Sequence, residues 1–181
     1  FGDAVYQCAS FVGNEPVLLL LGDTLYKSFG NKPCTLQLIE AYERYSKPMM
    51  AIHEIPLNMV SYYGITSGEW INKERTVLQM SNITEKPTVA YAEEYLGVEV
   101  PNEAKKYYSA FGQYVLTPEV FEQLRHNIAE AENSEKEIEL TVALEQIRQK
   151  IGMMGIVLNG KMYDMGNPSA LRNTMIYFGN V

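Results

Sequence analysis

The sequence contains few of the residues on which disulfide-stabilised domains and zinc modules depend. It has two cysteines, two histidines and one tryptophan in 181 residues. Cys8 and Cys34 lie 26 positions apart, and neither belongs to a Cys-x-x-Cys or Cys/His cluster. This spacing argues against a disulfide scaffold and against a structural zinc site. We expect both thiols to be reduced, as in a cytoplasmic protein.

Basic side chains and long apolar runs are also scarce. Fifteen Lys and Arg residues stand against 22 Asp and Glu residues, a net charge of -7, and no basic stripe alternates with aromatic residues. Nucleic acid is therefore a poor candidate for a partner. The longest strongly apolar run, residues 17–21, is far shorter than the roughly 20 residues that span a bilayer. No signal peptide opens the sequence, so no membrane partner is predicted.

What the sequence does contain is enough apolar material for one domain, with 46% hydrophobic residues. Helical spacing over residues 3–12 is followed by the apolar run 17–21, which is typical of a strand buried on both faces in a mostly parallel sheet. A second helical pattern over residues 36–45 leads to a strand over Met49–Ile55. Two successive helix–strand units indicate an α/β domain with crossover connections.

The second half reads as short elements separated by Gly or Pro. We expect a small mixed sheet from four extended segments: residues 63–65, 76–80, 88–91 and 109–116. Thr117-Pro118 predicts a helix start with Thr117 as its cap, and that helix should end near Arg125.

The acidic stretch 130–139 is most simply a solvated loop. A helix over residues 140–150 follows. Asn159-Gly160 predicts a hairpin between strands 155–158 and 161–163, and a last helix runs from Pro168 to about Phe178.

Two aspartates occupy positions that favour ligand binding. Asp23 comes just after the carboxyl end of an apolar strand, the edge where open α/β sheets bind substrates. Asp164 follows a short strand and precedes Gly166. Each alone is more often a turn former or a helix cap. Together they would suit Mg²⁺, which prefers one or two carboxylates with substrate phosphate oxygens, but spacing alone does not bring them together.

Glu85-Lys86-Pro87 has two readings. It is either a surface turn stiffened by Pro87, or a site in which the ammonium binds a phosphate and the carboxylate binds sugar hydroxyls. Gly64 and Gly112 each lie inside an extended segment, which marks a bulge or a close approach of ligand to backbone.

The two histidines have no partner in a recognisable catalytic spacing. His53 lies in an apolar strand, and His126 lies near the end of a helix. We expect both to be structural.

Ordered blocks across nearly the whole sequence resemble the sugar-1-phosphate nucleotidylyltransferases, and most closely their bacterial UDP-glucose pyrophosphorylase group. The blocks are Gly2-Asp3-Ala4-Val5, Phe11 to Val17, Leu20-Leu21-Gly22-Asp23, Met50 to Pro56, Tyr63-Gly64-Ile65, Glu85-Lys86-Pro87, Gly112 to Phe121, Glu137 to Thr141 and Gly160 to Asn167. Any one block is weak evidence, whereas the ordered set is strong.

The resemblance implies a Rossmann-like α/β nucleotidyltransferase sandwich, with a mixed central sheet, helices on both faces and a small extra β region. It implies transfer of a uridylyl group from UTP to glucose-1-phosphate, giving UDP-glucose and pyrophosphate. In that family pattern, Asp23 and Asp164 bind Mg²⁺ and Lys86 holds the sugar phosphate. Glu85 binds sugar hydroxyls.

The same resemblance assigns three glycines. Gly64 and Gly112 line the sugar pocket, and Gly2 belongs to a loop that helps to hold the nucleotide. The expected ligands are therefore a nucleoside triphosphate and a sugar-1-phosphate, in a cytoplasmic enzyme that forms a homo-oligomer.

The family's glycine-rich nucleotide loop has no counterpart in the sequence. We therefore expect residues 1–181 to be a single partial domain, the C-terminal sugar- and metal-binding portion of a longer enzyme, inactive alone and with an unpaired sheet edge.

Two positions depart from the family pattern. Val142 replaces an aspartate, and Lys106-Tyr107 replaces a Ser-Asn pair. The alternatives are a thymidylyl-, guanylyl-, adenylyl- or cytidylyltransferase, or a non-catalytic regulatory homologue that binds a nucleotide sugar.

Overall fold

The computed structural model describes residues 1–131 and 137–178. Within these ranges the strands are β1 (Val17–Leu20), β2 (Thr24–Ser28), β3 (Met49–Ile55), β4 (Gly64–Trp70), β5 (Val77–Glu85), β6 (Tyr107–Leu116), β7 (Met154–Val157) and β8 (Gly160–Asp164). The helices are α1 (Gly2–Tyr6), α2 (Ala9–Val12), α3 (Cys34–Tyr45), α4 (Val89–Tyr95), α5 (Pro118–Ala131), α6 (Leu140–Ile151) and α7 (Pro168–Phe178), with a 3-10 helix over Leu57–Tyr62.

Six strands form one mixed sheet in the order β1-β6-β3-β7-β5-β4, and β6 pairs with β4 as well. Within the described residues only β3 and β7 are parallel. The expectation of a mostly parallel surrounding for residues 17–21 is therefore wrong. β1 pairs antiparallel with β6, and Leu20 is 45% exposed. A short apolar run fits either kind of pairing, which is why the sequence did not separate them.

Helices cover both faces of this sheet, which confirms the predicted α/β sandwich. Alternate residues of β3 belong to different clusters, because side chains alternate across a strand. Met50 and Ile52 pack with α1, α5 and α6, whereas Met49 and Ala51 pack with α3. The buried residues of α6 recur at helical spacing and hold it on the sheet. They are Leu140, Ala143, Leu144 and Ile147.

The small extra β region is a two-stranded sheet of β2 and β8, which pair antiparallel from Thr24 with Asp164 to Ser28 with Gly160. The predicted hairpin at Asn159-Gly160 is thus wrong, because β7 joins the six-stranded sheet while β8 leaves it for β2. Residues 24–28 form a strand through their pairing with β8. No helix in ranges 1–131 and 137–178 is long and apolar enough to cross a membrane.

Other differences from the sequence expectations are local. The extended segments 63–65, 76–80 and 109–116 belong to the six-stranded sheet rather than to a separate one. Residues 88–91 instead begin α4, where the Thr88 hydroxyl accepts a hydrogen bond from the Tyr91 amide as an N-cap. The predicted helix over residues 3–12 is split into α1 and α2.

Helix α5 starts at Pro118 as predicted and extends beyond Arg125 to Ala131. The predicted cap is wrong, since the buried Thr117 hydroxyl has no hydrogen-bond partner within the described residues. Of the acidic stretch 130–139, residues 132–136 lie outside the described residues.

His53 is a partly buried residue that packs against the core. Its ring packs edge-on against Phe111, with centroids 5.3 Å apart, and its nitrogens lie 3.5 Å from the Ser109 hydroxyl. Burial lowers the pKa of His53 from 6.5 to about 4. His126 lies on the surface, 3.2 Å from Glu130.

We expect the free energy of unfolding to fall as the pH is lowered from about 6.5 towards 4, in part because of His53. Between these values the unfolded state binds a proton that His53 in the folded state excludes. The contribution of His53 to stability is therefore fully present above pH 6.5 and is lost progressively as the pH falls below it. His53→Gln should remove about 2 kcal/mol of the loss between pH 7.5 and pH 5. Urea unfolding at both pH values measures this, with His126→Gln as control. An unchanged pH dependence in His53→Gln would contradict it.

Candidate active site

A cavity of about 470 Å³ is formed by both sheets and the start of α6. Every site residue predicted from the sequence lines it except Gly2. These residues are Asp23, Gly64, Glu85, Lys86, Gly112 and Asp164. They come from the ends of β1 and β5, the start of β4, a bulge in β6 and the end of β8, so distant parts of the sequence meet at one place.

The pairing of β2 with β8 brings Asp23 and Asp164 together. Asp23 directly precedes β2, Asp164 ends β8, and the Met165 amide donates a 2.8 Å hydrogen bond to the Asp23 carbonyl. Oδ1 of Asp164 and Oδ2 of Asp23 lie 3.1 and 3.2 Å from the position that a Cβ on Gly166 would take. The two carboxylates therefore face the same small space, which is open because residue 166 has no side chain.

This pair of carboxylates fits a divalent cation. Two hard oxygen donors that approach one point match the ligands that Mg²⁺ takes from proteins, with the remaining positions left to water or phosphate oxygens. Within the described residues no group of three or more His, Cys, Asp or Glu side chains could hold a metal ion. The pair thus suits a metal that is shared with a bound phosphate rather than one enclosed by protein.

Glu85 ends β5 and lies directly opposite Gly64 of β4 in the antiparallel ladder. A Cβ on Gly64 would stand 3.0 Å from Glu85 Oε2, so the missing side chain leaves room for the carboxylate. The Thr141 hydroxyl donates a 2.7 Å hydrogen bond to the same oxygen. Glu85 Oε1 remains on the side of Lys86, 4.0 Å from its Nζ.

Lys86 has an unusual backbone. Its φ is +42°, a left-handed conformation, although it has a side chain and precedes Pro87. The Lys86 amide donates to the Tyr63 carbonyl at 3.1 Å, which holds this turn against β4. The side chain is 64% exposed at the cavity. Strained backbone of this kind persists where the surrounding structure imposes it, and it is common at binding sites.

Gly112 forms a bulge in β6 with φ of +74°. Its carbonyl accepts a hydrogen bond from the Leu21 amide and so extends the β1 pairing up to Asp23. A Cβ at this residue would overlap the Tyr26 hydroxyl. That hydroxyl lies 2.5 Å from Thr24 Oγ1, which itself donates to the Leu21 carbonyl. Burial is the main cause that raises the pKa of Tyr26.

Gly2 is placed differently from the other predicted residues. It is the first residue of α1, it is buried, and its amide donates a 2.7 Å hydrogen bond to the Ile138 carbonyl. This hydrogen bond holds the segment directly before α6. The role of Gly2 toward a nucleotide stays a prediction.

Sequence reasoning missed several residues that line the cavity. Thr141 and Tyr114 lie in sequence blocks that carry the family resemblance, and Tyr63 directly precedes Gly64, but no role is predicted for any of the three. Burial, together with the charge of Asp164, raises the pKa of Tyr63. Glu137 and Glu139 also line the cavity, although the acidic stretch looked like solvated loop. Their position directly before α6, whose first turn reaches the cavity, was the available signal.

Comparisons with known proteins agree with this architecture. The family described as Nucleotidyl transferase matches residues 2–177. The chain belongs to this family. It is 32% identical over 177 residues to UTP--glucose-1-phosphate uridylyltransferase of Streptococcus pneumoniae, covering 97% of the chain and 54% of that protein. It is 30% identical over 177 residues to UTP--glucose-1-phosphate uridylyltransferase 1 of Streptococcus pyogenes, covering 97% and 53%.

Solved structures give the same picture. Apo UDP-glucose pyrophosphorylase superposes with a TM-score of 0.81 at 27% identity, over 99% of this chain and 60% of that one. A UDP-glucose pyrophosphorylase complexed with UDP-glucose gives 0.80 at 27% identity, over 100% and 62%. The chain spans about half the length of the curated relatives it matches.

The two departures from the family pattern lie outside the cavity. Val142 is 47% exposed on α6, where Thr141 and Leu144 line the cavity. Lys106 pairs with Glu54 at 3.2 Å and with Glu103 at 3.4 Å, and these carboxylates raise its pKa. Neither position changes the predicted site residues.

We expect Gly112→Ala to destabilise the protein by about 2 kcal/mol or more, because the new Cβ adds left-handed strain and overlaps the Tyr26 hydroxyl. Tyr26→Phe removes that hydroxyl. The double variant should therefore lose less stability than the sum of the two single variants, by about 1 kcal/mol. Chemical denaturation of all four proteins measures the coupling. Strict additivity would show that the hydroxyl does not limit residue 112.

Proposed function

We propose that the full-length protein is a UTP:glucose-1-phosphate uridylyltransferase that forms UDP-glucose and pyrophosphate. One observation carries this proposal: the carboxylate pair, the Lys86 ammonium and the Glu85 carboxylate all face one cavity. In the reaction a phosphate oxygen of glucose-1-phosphate forms a bond to the α-phosphorus of UTP, and the bond from that phosphorus to the β-phosphate oxygen breaks. No protein nucleophile is needed, so alignment and charge neutralisation are the protein's work.

The charges of the cavity support a phosphate ligand that arrives with a cation. Five carboxylates line the cavity: Asp23, Glu85, Glu137, Glu139 and Asp164. Lys86 is the only Lys or Arg residue that lines it within the described part of the chain. Two phosphorylated substrates would be repelled by such a wall unless positive charge offset it. We assign that charge to Mg²⁺ held by Asp23 and Asp164, which when bound offsets the negative charge of the phosphates.

The chain's own residues divide the remaining work. The Lys86 ammonium is a point charge for the sugar phosphate, and the turn that carries it is fixed against β4 through the Tyr63 carbonyl. Glu85 lies next to it, and its carboxylate accepts hydrogen bonds from the hydroxyls of the sugar. Because Glu85 and Lys86 are consecutive, the sugar ring and its phosphate are held by one rigid turn.

The choice of uridine and glucose rests on the relatives. Two streptococcal relatives at 30% and 32% identity are UTP--glucose-1-phosphate uridylyltransferases, and one structural neighbour is complexed with UDP-glucose. Both sequence matches cover 97% of this chain.

Release of pyrophosphate by the full-length protein, with UTP, glucose-1-phosphate and Mg²⁺, tests the proposal. We expect turnover that stops with EDTA. Asp23→Asn and Asp164→Asn should each lower kcat by about 100-fold or more, because the lost charge acts on the reacting phosphates. Asp3→Asn, at an exposed residue of α1 that lies outside the cavity, is the matched control. Binding of UDP-glucose without turnover would support a regulatory homologue instead, and full activity of both aspartate variants would exclude the metal assignment.

Lys86 gives a second test, because its charge and its backbone strain can be separated. Lys86→Met keeps a side chain at φ +42° and loses the charge, so glucose-1-phosphate should bind about tenfold or more weakly while UTP binding is retained. Lys86→Gly should lose the same affinity and gain about 1 kcal/mol of stability, because glycine tolerates this conformation.

Calorimetric titration and urea unfolding read out these two effects. Arg75→Gly, at φ +54° outside the cavity, controls for the gain in stability. Equal loss of both ligands in Lys86→Met would place Lys86 on the triphosphate or in the fold.

A further inference from the structure

Helix α6 is attached to the end of β5 at two points. Glu145 Oε2 accepts a 3.0 Å hydrogen bond from the Ile83 amide, and Thr141 Oγ1 donates at 2.7 Å to Glu85 Oε2. Thr141 and Glu145 are four residues apart and share one face of the helix. Ile83 and Glu85 are two residues apart and share one face of the strand. The helix therefore contacts the carboxyl-terminal residues of the strand in matching register.

The attachment through Glu145 is rigid. Glu145 accepts hydrogen bonds from Arg148 at 2.6 and 2.7 Å and from Gln149 at 2.8 Å. Burial alone would raise the pKa of Glu145, but these hydrogen bonds and the Ile83 amide lower it overall. Glu145 thus stays ionised and keeps α6 fixed relative to β5. Thr141, one turn earlier, has a fixed position from which to reach the cavity.

We propose that Thr141 is a positioning residue that holds the Glu85 carboxylate in the orientation that binds the sugar. This inference rests on the proposed function and deepens it. Thr141 has a single hydroxyl proton, and it donates this proton in a hydrogen bond to Glu85 Oε2. Oε2 is held in the space left by Gly64, and Oε1 is left toward Lys86 and the cavity.

The chemistry of this arrangement selects the ligand. An ionised carboxylate accepts hydrogen bonds and donates none, so its partners must be donors. Oε1 and the remaining lone pair of Oε2 present two acceptors on one rigid group, which fits two neighbouring hydroxyls of a sugar ring. A carboxylate that rotates freely would bind the same hydroxyls with a larger loss of side-chain entropy, and it would discriminate less between sugars.

Thr141→Val is a suitable probe, because valine has the same shape and lacks only the hydroxyl. The neighbouring residue Val142 shows that a β-branched apolar residue fits this turn of α6. Thr84 provides the matched control. It is also a threonine, directly before Glu85, but its hydroxyl donates to Asn82 Oδ1 at 3.0 Å, and Thr84 does not line the cavity.

In the full-length protein, we expect Thr141→Val to raise the KM for glucose-1-phosphate roughly tenfold and to leave the KM for UTP within twofold. Thr141→Ser should restore most of the affinity, and Thr84→Val should behave as the wild type. In the wild type, one or two monodeoxy analogues of glucose-1-phosphate should be strongly disfavoured. That discrimination should shrink in Thr141→Val and should shrink further in Glu85→Gln, with or without the Thr141 change, because glutamine keeps one acceptor oxygen and replaces the other by a donor.

The outcomes separate the two proposals. A wild-type protein that turns over no UTP and glucose-1-phosphate contradicts the proposed function, whatever Thr141 does. An active wild type with an unchanged KM and unchanged deoxy-sugar discrimination in Thr141→Val overturns the positioning role. A crystal structure of Thr141→Val tests positioning without turnover: the Glu85 carboxylate should leave the space beside Gly64, and an unmoved carboxylate would equally overturn the inference.

Discussion

The pairing of β2 with β8 is the constraint on which the candidate site depends. Asp23 and Asp164 are 141 positions apart in the sequence. The ladder that pairs Thr24 with Asp164 brings one carboxylate oxygen of Asp23 and one of Asp164 to 3.2 and 3.1 Å from the position that a Cβ on Gly166 would take. Everything else in the cavity is arranged relative to this point: Gly112 supports the Asp23 end, and β5 brings Glu85 and Lys86 from the opposite side.

The cavity also relies on a different principle, which is space reserved by missing side chains. Gly64 leaves room for the Glu85 carboxylate, Gly112 leaves room for the Tyr26 hydroxyl, and Gly166 leaves room between the aspartates. Each glycine therefore acts through the polar group that takes its side-chain space. The resemblance names Gly64 and Gly112 as pocket lining; both line the cavity, and each also leaves space for a neighbouring polar group.

Most elements with strong local signals were predictable from the sequence. Helices α3, α6 and α7 and strand β3 lie where periodicity and Pro or Gly punctuation placed them. The failures of strand pairing share one cause, which is partner choice at long range. The Asn159-Gly160 dipeptide is a typical hairpin signal, yet β7 pairs with β3 and β5 while β8 pairs with β2. Asp23, Asp164 and the Glu85 turn could be singled out by their local positions, but only the resemblance joined them in one site, because no local signal connects them. Thr141 was missed because its partner comes from another element.

The separation of β2 from β8 along the chain also bears on how the protein is made. A ribosome synthesises β2 long before β8, so the nascent chain carries Asp23 without its counterpart while well over a hundred residues are added. Contacts of such long sequence separation form late, after local helices and neighbouring strands. The end of the cavity that contains Asp23 and Asp164 therefore assembles late. A chain stalled or cleaved before residue 160 would contain the Glu85 turn but lack Asp164, and so it could not form the carboxylate pair.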